Sequence, residues 1–221
     1  METVRILSIE KATHDVMQII TEKSNISFTP GQAVDVSIVK PKWEEEQRPF
    51  TFTSLPKDDH LEFFIKTYPD HNGVTEQIGK LERGDSLELG EVFGAIEYKD
   101  EGIFIAGGAG ITPFISILKN LEDQNIIGNN KLIFANKKYE DIIQHAYFEK
   151  LLGKNMINVL SDDKKEGCEQ GYITKDIIKA QMKGKNQYFY LCGPPPMMKS
   201  VLKDLKELGV DEEHIVKEGF A

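Results

Sequence analysis

Two glycine- and proline-rich turns contain the residue types best suited to bind a nucleotide. The first, residues 107–113 (Gly-Gly-Ala-Gly-Ile-Thr-Pro), follows a short apolar strand and leads into a helical pattern. Here Thr112 can cap the helix and Pro113 suits its first turn, so bare backbone N–H groups and a helix N-terminus can hold a phosphate. The second, residues 192–197 (Cys-Gly-Pro-Pro-Pro-Met), repeats this arrangement. Two such strand ends at one edge of a parallel sheet predict a bound dinucleotide.

The composition argues against several kinds of partner. The chain has 221 residues, of which 40% are hydrophobic and 29% charged, and its net charge is −9. Because nucleic-acid binding needs a basic face, we expect no nucleic-acid partner. The two cysteines are too few for a disulfide framework or a four-cysteine iron–sulfur cluster, and the five histidines lack metal-ligand spacing. Without a signal peptide or a membrane-spanning apolar run, we expect a cytoplasmic monomer that binds no metal.

Secondary-structure patterns divide the chain at about residue 98. Before it, six alternating or β-branched runs separated by turn sequences predict a small antiparallel barrel. After it, strands and helices alternate, which predicts a parallel sheet with helices on both faces. We therefore expect an α+β protein with a six-stranded antiparallel β-barrel domain over residues 1–98 and a Rossmann-like parallel α/β domain over residues 99–221. Predicted helices span residues 75–80, 113–123, 147–152, 174–181 and 197–208, and predicted strands of the second domain span residues 102–106, 131–136, 156–160, 188–192 and 214–218.

One predicted strand of the barrel could bind a planar, phosphorylated cofactor. Residues 48–54 (Arg-Pro-Phe-Thr-Phe-Thr-Ser) combine an arginine, aromatic rings and hydroxyls. Because side chains alternate along a strand, Arg48 and Phe50 would share a face that Thr51 does not. Arginine suits bidentate contact with phosphate, and a flat ring suits stacking on a planar cofactor. A half-buried strand with a surface arginine explains the same residues, so this motif alone does not distinguish a cofactor-binding strand from an ordinary one.

Five motifs together resemble those of the ferredoxin–NADP reductase superfamily. Arg48-Pro-Phe-Thr51 is similar to the family's Arg-x-Tyr/Phe-Ser/Thr flavin motif, and residues 107–113 and 192–197 are similar to its two nicotinamide-nucleotide motifs. Residues 28–32 (Phe-Thr-Pro-Gly-Gln) and 83–85 (Arg-Gly-Asp) match two of its turns. All five occur in the family's order across essentially the whole chain, so the chain is identified as a member. The resemblance implies an FAD-binding barrel followed by an NAD(P)H-binding α/β domain.

The resemblance also implies which residues bind FAD. Arg48 would hold the pyrophosphate, Phe50 would lie against the isoalloxazine, and Thr51 would place its hydroxyl near flavin N5. For Lys66 and Tyr68, an ordinary exposed strand face is the alternative. The positions that match the rest of the family's flavin-binding motif, strand and phosphate turn are Pro49, Ile65, Lys66, Thr67, Tyr68, Gly73, Val74 and Thr75.

For the nicotinamide nucleotide, the resemblance implies close backbone approach at Gly108 and Gly110 and a hydroxyl contribution from Thr112. Pro113 stands where the usual dehydrogenase fingerprint has its third glycine, a departure that suits the reductase family. Cys192 would lie close to the nicotinamide C4, with a plain buried thiol as the alternative. The other cofactor-binding positions are Ile111, Asn136, Asp141, Gly193, Pro194, Pro195 and Met197.

Three residues are expected to act directly in the reaction, namely Thr51, Cys192 and Glu218. Residues 218–221 (Glu-Gly-Phe-Ala) resemble the family's Glu-x-aromatic ending, in which Phe220 would shield the flavin and the carboxylate would aid proton traffic. A frayed chain end explains these residues equally well.

The choice of nucleotide and of electron acceptor depends on few residues. Asp141 facing the adenosine ribose would repel a 2′-phosphate, whereas Lys137 and Lys138 would attract it, and the balance favours NADH slightly over NADPH. We expect an oxidoreductase with bound FAD that passes electrons to a separate ferredoxin, flavodoxin, cytochrome or oxygenase component. The alternatives are a flavin reductase that uses free flavin as its substrate and a non-catalytic subunit that uses the fold for binding.

Overall fold

The computed structural model describes residues 1–68 and 72–218. The chain forms two compact units, of which the first comprises Met1–Glu97 with Thr112–Asn120 and the second comprises Tyr98–Ile111 with the chain from Leu121 onward. Within the described ranges, no helix is long and apolar enough to cross a membrane.

The first unit contains a six-stranded antiparallel sheet with the order β4-β3-β6-β1-β2-β5. In β1, Val4 and Ile6 are buried while Arg5 is exposed, the alternation expected of a strand with one face on a core. Pro49 lies in β4 at one end of the sheet, where its missing N–H costs no ladder bond. The elements of this unit are β1 (Glu2–Lys11), β2 (Val16–Glu22), β3 (Ala33–Ile38), β4 (Arg48–Thr51), β5 (His60–Lys66), α1 (Val74–Ile78) and β6 (Ser86–Phe93).

The core of the first unit contains a row of aromatic rings. Phe52 is completely buried, its ring stacks on Phe28 at a centroid distance of 3.9 Å, and Phe63 lies 5.4 Å away on β5. Directly after Phe52, the Thr53 N–H donates to the Glu62 carbonyl at 2.9 Å. This bond links the chain that leaves β4 to β5, so the two outer strands of the sheet meet.

The second unit contains a six-stranded parallel sheet with the order β10-β9-β8-β7-β11-β12. All six residues of β7 are buried, as expected for a central parallel strand covered on both faces. The remaining elements are β7 (Gly102–Gly107), α2 (Thr112–Asp123), β8 (Lys131–Asn136), α3 (His145–Leu152), β9 (Met156–Leu160), β10 (Glu169–Gln170), α4 (Lys175–Gln181), β11 (Tyr188–Cys192), α5 (Pro195–Glu207) and β12 (Ile215–Lys217).

The predicted fold class is confirmed, an antiparallel sheet followed by a parallel sheet with helices. Three strands of the second sheet, β8, β9 and β11, have their predicted bounds. Helix starts differ by a few residues. Helix α2 begins at Thr112 itself because a short 3-10 turn, Gly108–Ile111, leads straight into it, so Thr112 is its first residue instead of its cap. The sequence does not predict β10, since two exposed residues carry no apolar pattern.

Candidate functional site

The two predicted phosphate-binding turns form one structure in the second unit. Strands β7 and β11 are neighbours, with Ala106 opposite Cys192, so both turns leave adjacent strand ends. Gly110 packs against the Cys192 carbonyl so closely that a Cβ could not be placed there, and a Cβ at Gly107 would lie 2.6 Å from Met197 Sδ. Gly107 and Gly110 of the first motif must therefore be glycine, because residues of the second motif leave no room for a Cβ at either position.

Gly108 needs glycine for a different reason. Its φ is +52°, which disfavours side chains, yet an added Cβ would meet nothing within 4 Å. Gly108 and Gly110 are half-buried, whereas Ile111 is completely buried in the core. The turn thus presents backbone, without side chains, toward open space, which fits a diphosphate.

A helix follows each of these turns. Helix α2 begins at Thr112, and α5, in the second unit, begins at Pro195 after Pro194. Both helices are fully described, and neither has an acidic residue in its first turn. No acidic side chain of its own first turn therefore opposes an anion at the N-terminus of α5.

Cys192 lies at the carboxyl end of β11 beside the glycine turns. Burial, with a smaller contribution from the Glu218 carboxylate, raises the pKa of its thiol to about 12. Glu218 comes directly after β12, which pairs with β11 in a register that sets Lys217 opposite Leu191. A thiol that stays protonated suits a wall of a binding slot and not a nucleophile. Phe220 lies outside the described residues.

A cavity of about 550 Å³ opens at the carboxyl ends of β8 and β9. The Tyr139 N–H donates to Asp163 at 3.2 Å, and Lys165 Nζ lies 5.0 Å from the centroid of the Tyr139 ring. At the end of β8, Asn136 is buried, and its Nδ2 finds no hydrogen-bond partner among the described residues. The residues lining the cavity are Lys138, Tyr139, Glu140, Asp162, Asp163, Lys164 and Lys165.

The structure gives Asp141 a local role beside this cavity. Its carboxylate accepts the Lys138 N–H at 2.9 Å across the short turn Tyr139–Asp141, and Asp141 does not line the cavity. Asp162 and Asp163 do, and sequence reasoning missed them. Their position two and three residues after the apolar strand β9 is the signal that could have found them, because ligands of parallel sheets bind beyond strand ends.

In the first unit, the four residues of the flavin motif form strand β4. Arg48 is exposed, and its guanidinium pairs with Glu46 at 3.1 Å. Phe50 and Thr51 are half-buried and Pro49 is exposed. An exposed guanidinium near a half-buried ring and hydroxyl is the donor set that a phosphorylated planar cofactor needs.

The other predicted flavin positions differ in what they can offer. Lys66 Nζ lies 2.7 Å from the Asp15 carboxylate. Burial alone would raise the pKa of Asp15, but the bond to Lys66 and its positive charge have the larger combined effect, so the pKa lies below its ordinary value. Thr67 bonds to the Asp15 backbone, and Tyr68 is exposed. Ile65 and Val74 are buried in the core, so only their backbone could reach a ligand.

The predicted phosphate turn at Gly73 leads into α1, which has five residues. Glu76 in its first turn accepts the Asn72 N–H at 2.8 Å. Gly73 and Thr75 are half-buried, so both are accessible in part.

Comparison with known proteins covers both units. Residues 1–88 match the family model of an FAD-binding domain, and residues 104–203 match that of an oxidoreductase NAD-binding domain. The chain is 26% identical over 205 residues to the toluate 1,2-dioxygenase electron transfer component of Pseudomonas putida, covering 90% of this chain and 60% of the relative. It is 32% identical over 185 residues to NADH-cytochrome b5 reductase 1 of Mortierella alpina, covering 76% of this chain and 61% of the relative. It thus spans about three fifths of the length of both relatives.

Solved structures share the whole fold. The crystal structure of a ferredoxin NADP⁺ reductase from Neisseria gonorrhoeae with bound FAD and NADP superposes with a TM-score of 0.84 at 20% identity, covering 98% of this chain and 97% of that one. The two domain matches confirm FAD and a nicotinamide nucleotide as the cofactors. Because both domains match in the order that the five motifs predict, the chain belongs to the ferredoxin–NADP reductase superfamily.

Proposed function

We propose that this chain is a flavoprotein reductase that takes electrons from NADH and delivers them to a separate one-electron acceptor. The observation that carries the proposal is the contact between the two turns of the second unit, where Gly110 packs against the Cys192 carbonyl and Gly108 faces open space. This arrangement binds a diphosphate and leaves Cys192 at the wall of the adjoining slot. Bound FAD supplies the chemistry, since a flavin accepts electrons in pairs and releases them singly.

The chain's own residues hold and orient the cofactors. Arg48 would exchange its exposed partner Glu46 for the FAD diphosphate, because a guanidinium binds two phosphate oxygens at once. Phe50 would support the flavin ring, and Thr51 would offer its hydroxyl to the ring edge. In the second unit, Cys192 stays protonated and uncharged, so it can shape the nicotinamide slot without attacking it.

The cavity beyond β8 and β9 is our candidate for the adenosine end of the nucleotide. Carboxylates at a strand end accept hydrogen bonds from ribose hydroxyls and repel a 2′-phosphate. Asp162, two residues after the end of β9, is exposed and lines the cavity, so we assign it this role in place of Asp141. The lysines that line the cavity would attract a 2′-phosphate and so oppose the effect of Asp162. NADH is therefore the preferred but not the exclusive donor.

The acceptor is proposed from the relatives. This chain is similar to the electron transfer component of toluate 1,2-dioxygenase. It is also similar to reductase components of propane 2-monooxygenase and naphthalene 1,2-dioxygenase. These names favour an acceptor of the oxygenase electron-transfer kind. With two cysteines, these 221 residues do not hold a four-cysteine cluster, so an iron–sulfur acceptor would lie outside them.

The decisive experiment is an absorption spectrum of the desalted protein followed by anaerobic titration with NADH and, in a separate sample, NADPH. A stoichiometric flavin spectrum that is bleached by NADH, with ferricyanide reduction in steady state, is the expected result. A colourless protein that nonetheless oxidises NADH only when free flavin is added would identify a flavin reductase instead. A protein that shows neither behaviour would be a non-catalytic binding subunit.

A further inference from the structure

An ion pair with a buried carboxylate lies in the first unit beside Thr53, two residues beyond the end of β4. Glu62, in β5, is 6% exposed, and its Oε2 lies 2.6 Å from Lys119 Nζ. Both residues belong to the first unit, Lys119 through the segment Thr112–Asn120. Gln18 Nε2 donates to the other carboxylate oxygen of Glu62 at 2.7 Å. The carboxylate is thus removed from water and fully engaged.

Thr53 is the residue that this pair holds. Its hydroxyl donates to Glu62 Oε2 at 2.9 Å, and its carbonyl accepts from Lys119 Nζ at 3.0 Å. Its N–H donates to the Glu62 carbonyl at 2.9 Å. Every polar group of Thr53 is therefore bonded to one of the two charged residues, and Thr53 is completely buried.

Strand β4 is short and lies at one end of the sheet. It has four residues and pairs with β3, where Thr51 lies opposite Ala33. Phe52, the next residue after β4, is buried in the core, and the ion pair holds the residue that follows it. Charge-assisted hydrogen bonds are short and directional, so bonds from Lys119 and to Glu62 fix the Thr53 backbone more tightly than neutral bonds would.

A second buried bond fixes the helix that carries Lys119. Ser116 lies one turn earlier on α2, and its Oγ accepts the Gly31 N–H at 3.0 Å. Gly31 has a φ of +103°, and a Cβ there would collide with the Ile96 carbonyl. Within the first unit, one face of the helix therefore contacts both the turn at Gly31 and the chain after β4.

A buried ion pair is poor evidence for stability, since apolar replacements are often as stable. Its bonds to Thr53 point to a role in geometry instead. We propose that the Glu62–Lys119 pair is a positioning device that fixes residues 51–54 through Thr53 and thereby sets how Thr51 is presented to the flavin. The inference rests on the proposed function, because the role of Thr51 toward the flavin belongs to it.

The test compares four variants, of which the fourth, Lys119→Arg, keeps the charge. Lys119→Met leaves Glu62 as a buried, unpaired carboxylate, and this variant alone could fail to fold. The double variant Glu62→Gln/Lys119→Met leaves no unpaired buried charge and removes both charge-assisted bonds to Thr53, including that from Lys119 Nζ to its carbonyl, so it decides the matter. Lys175→Met is the matched control, because Lys175 forms an exposed ion pair of 2.7 Å with Glu207 in the second unit.

The readouts are the thermal midpoint, the FAD dissociation constant, the visible flavin spectrum, and kcat and KM for NADH with ferricyanide. In the double variant we expect a midpoint near that of the wild type. We also expect FAD affinity and kcat each lower by about tenfold, an altered flavin spectrum and an unchanged KM for NADH, since small misplacements near the chemistry are costly. Lys119→Arg, which keeps the charge, should restore most of the loss. The control should match the wild type throughout.

The outcomes separate this inference from the proposed function. A folded double variant with wild-type FAD affinity, spectrum and kcat would overturn the positioning role, even if its thermal midpoint fell. A wild-type protein that neither retains nor rebinds FAD would overturn the proposed function, and the inference with it.

Discussion

Gly110 packs against the carbonyl group of Cys192, and this contact joins two motifs from distant parts of the chain. The glycine turn after β7 can approach the proline turn after β11 this closely because Gly110 has no side chain, since a Cβ there would lie 2.3 Å from the Cys192 carbonyl oxygen. The shape of the nucleotide site is therefore decided by main-chain packing, with few side chains involved.

Gly110→Ala should disturb this contact. A methyl group there would overlap the Cys192 carbonyl, and overpacking of this kind costs about 1–3 kcal/mol. We expect a lower free energy of unfolding and weaker NADH binding, measured by urea denaturation and by nucleotide titration. Gly184→Ala is the control, because nothing lies within 4 Å of a Cβ added there. Equal effects of the two substitutions would contradict the packing argument.

Thr51→Val tests the proposed contact with the flavin. The substitution preserves shape and removes the hydroxyl, and a lost hydrogen bond is worth about 1 kcal/mol. We expect the rate of flavin reduction by NADH, followed by stopped-flow absorbance, to fall by about fivefold. Thr3→Val, on an exposed position of β1, serves as the control. An unchanged rate would remove Thr51 from the catalytic assignment.

Cys192 should be unreactive toward alkylating reagents. Its pKa is raised from 9.0 to about 12, so its thiolate population at pH 8 is lower by a factor of about 10³. Because only the thiolate attacks, iodoacetamide labelling followed by mass spectrometry should leave Cys192 unmodified while the unfolded protein reacts. Rapid labelling of the native protein at this position would show that the thiol is not protected.

Lys119→Met should destabilise the protein in a pH-dependent way. Burial raises the pKa of Glu62, but Lys119 and the hydrogen bonds outweigh it, so the folded pKa lies below 4.5. The stability that the ionised Glu62 gains from Lys119 and its hydrogen bonds is present above about pH 4.5 and is lost as the pH falls through the folded pKa. Breaking a buried pair costs about 3–5 kcal/mol.

In the Lys119→Met variant, Glu62 no longer has a cation and can escape the penalty only by taking up a proton. The loss of unfolding free energy should therefore be larger at pH 8 than at pH 5, as measured by urea denaturation at both values. Lys175→Met, which breaks an exposed pair, should change stability by less than about 1 kcal/mol at either pH. A loss that is independent of pH would show that the Glu62 charge is not what Lys119 stabilises.

Asp162→Lys should shift the nucleotide preference. Replacing a carboxylate of the cavity by an ammonium group favours a 2′-phosphate, so kcat/KM for NADPH should rise relative to NADH by about tenfold. Asp211→Lys makes the same change of charge outside the cavity and should leave the ratio unaltered. If both variants keep the wild-type ratio, the adenosine end does not bind beside Asp162.

Much of the fold could be predicted because its signals are local. Strands β8, β9 and β11 have the predicted bounds, since central parallel strands are continuous apolar runs that end at polar residues or glycine. Helix starts were less accurate, because a 3-10 turn before Thr112 and a proline at the first position of α5 shift them by a residue or two.

The candidate site likewise has features that local sequence predicts and features that depend on tertiary packing. Residue types and spacing along the chain determined that the glycine turns and the Arg48–Thr51 strand exist, because turn chemistry and alternation depend on neighbours in sequence. Only the tertiary structure decided that Asp162 lines the cavity while Asp141 closes a local turn, and that Lys119 pairs with Glu62 across 57 residues. Such pairings depend on strand order and on how a helix packs, and neither is encoded in the spacing of residues along the chain.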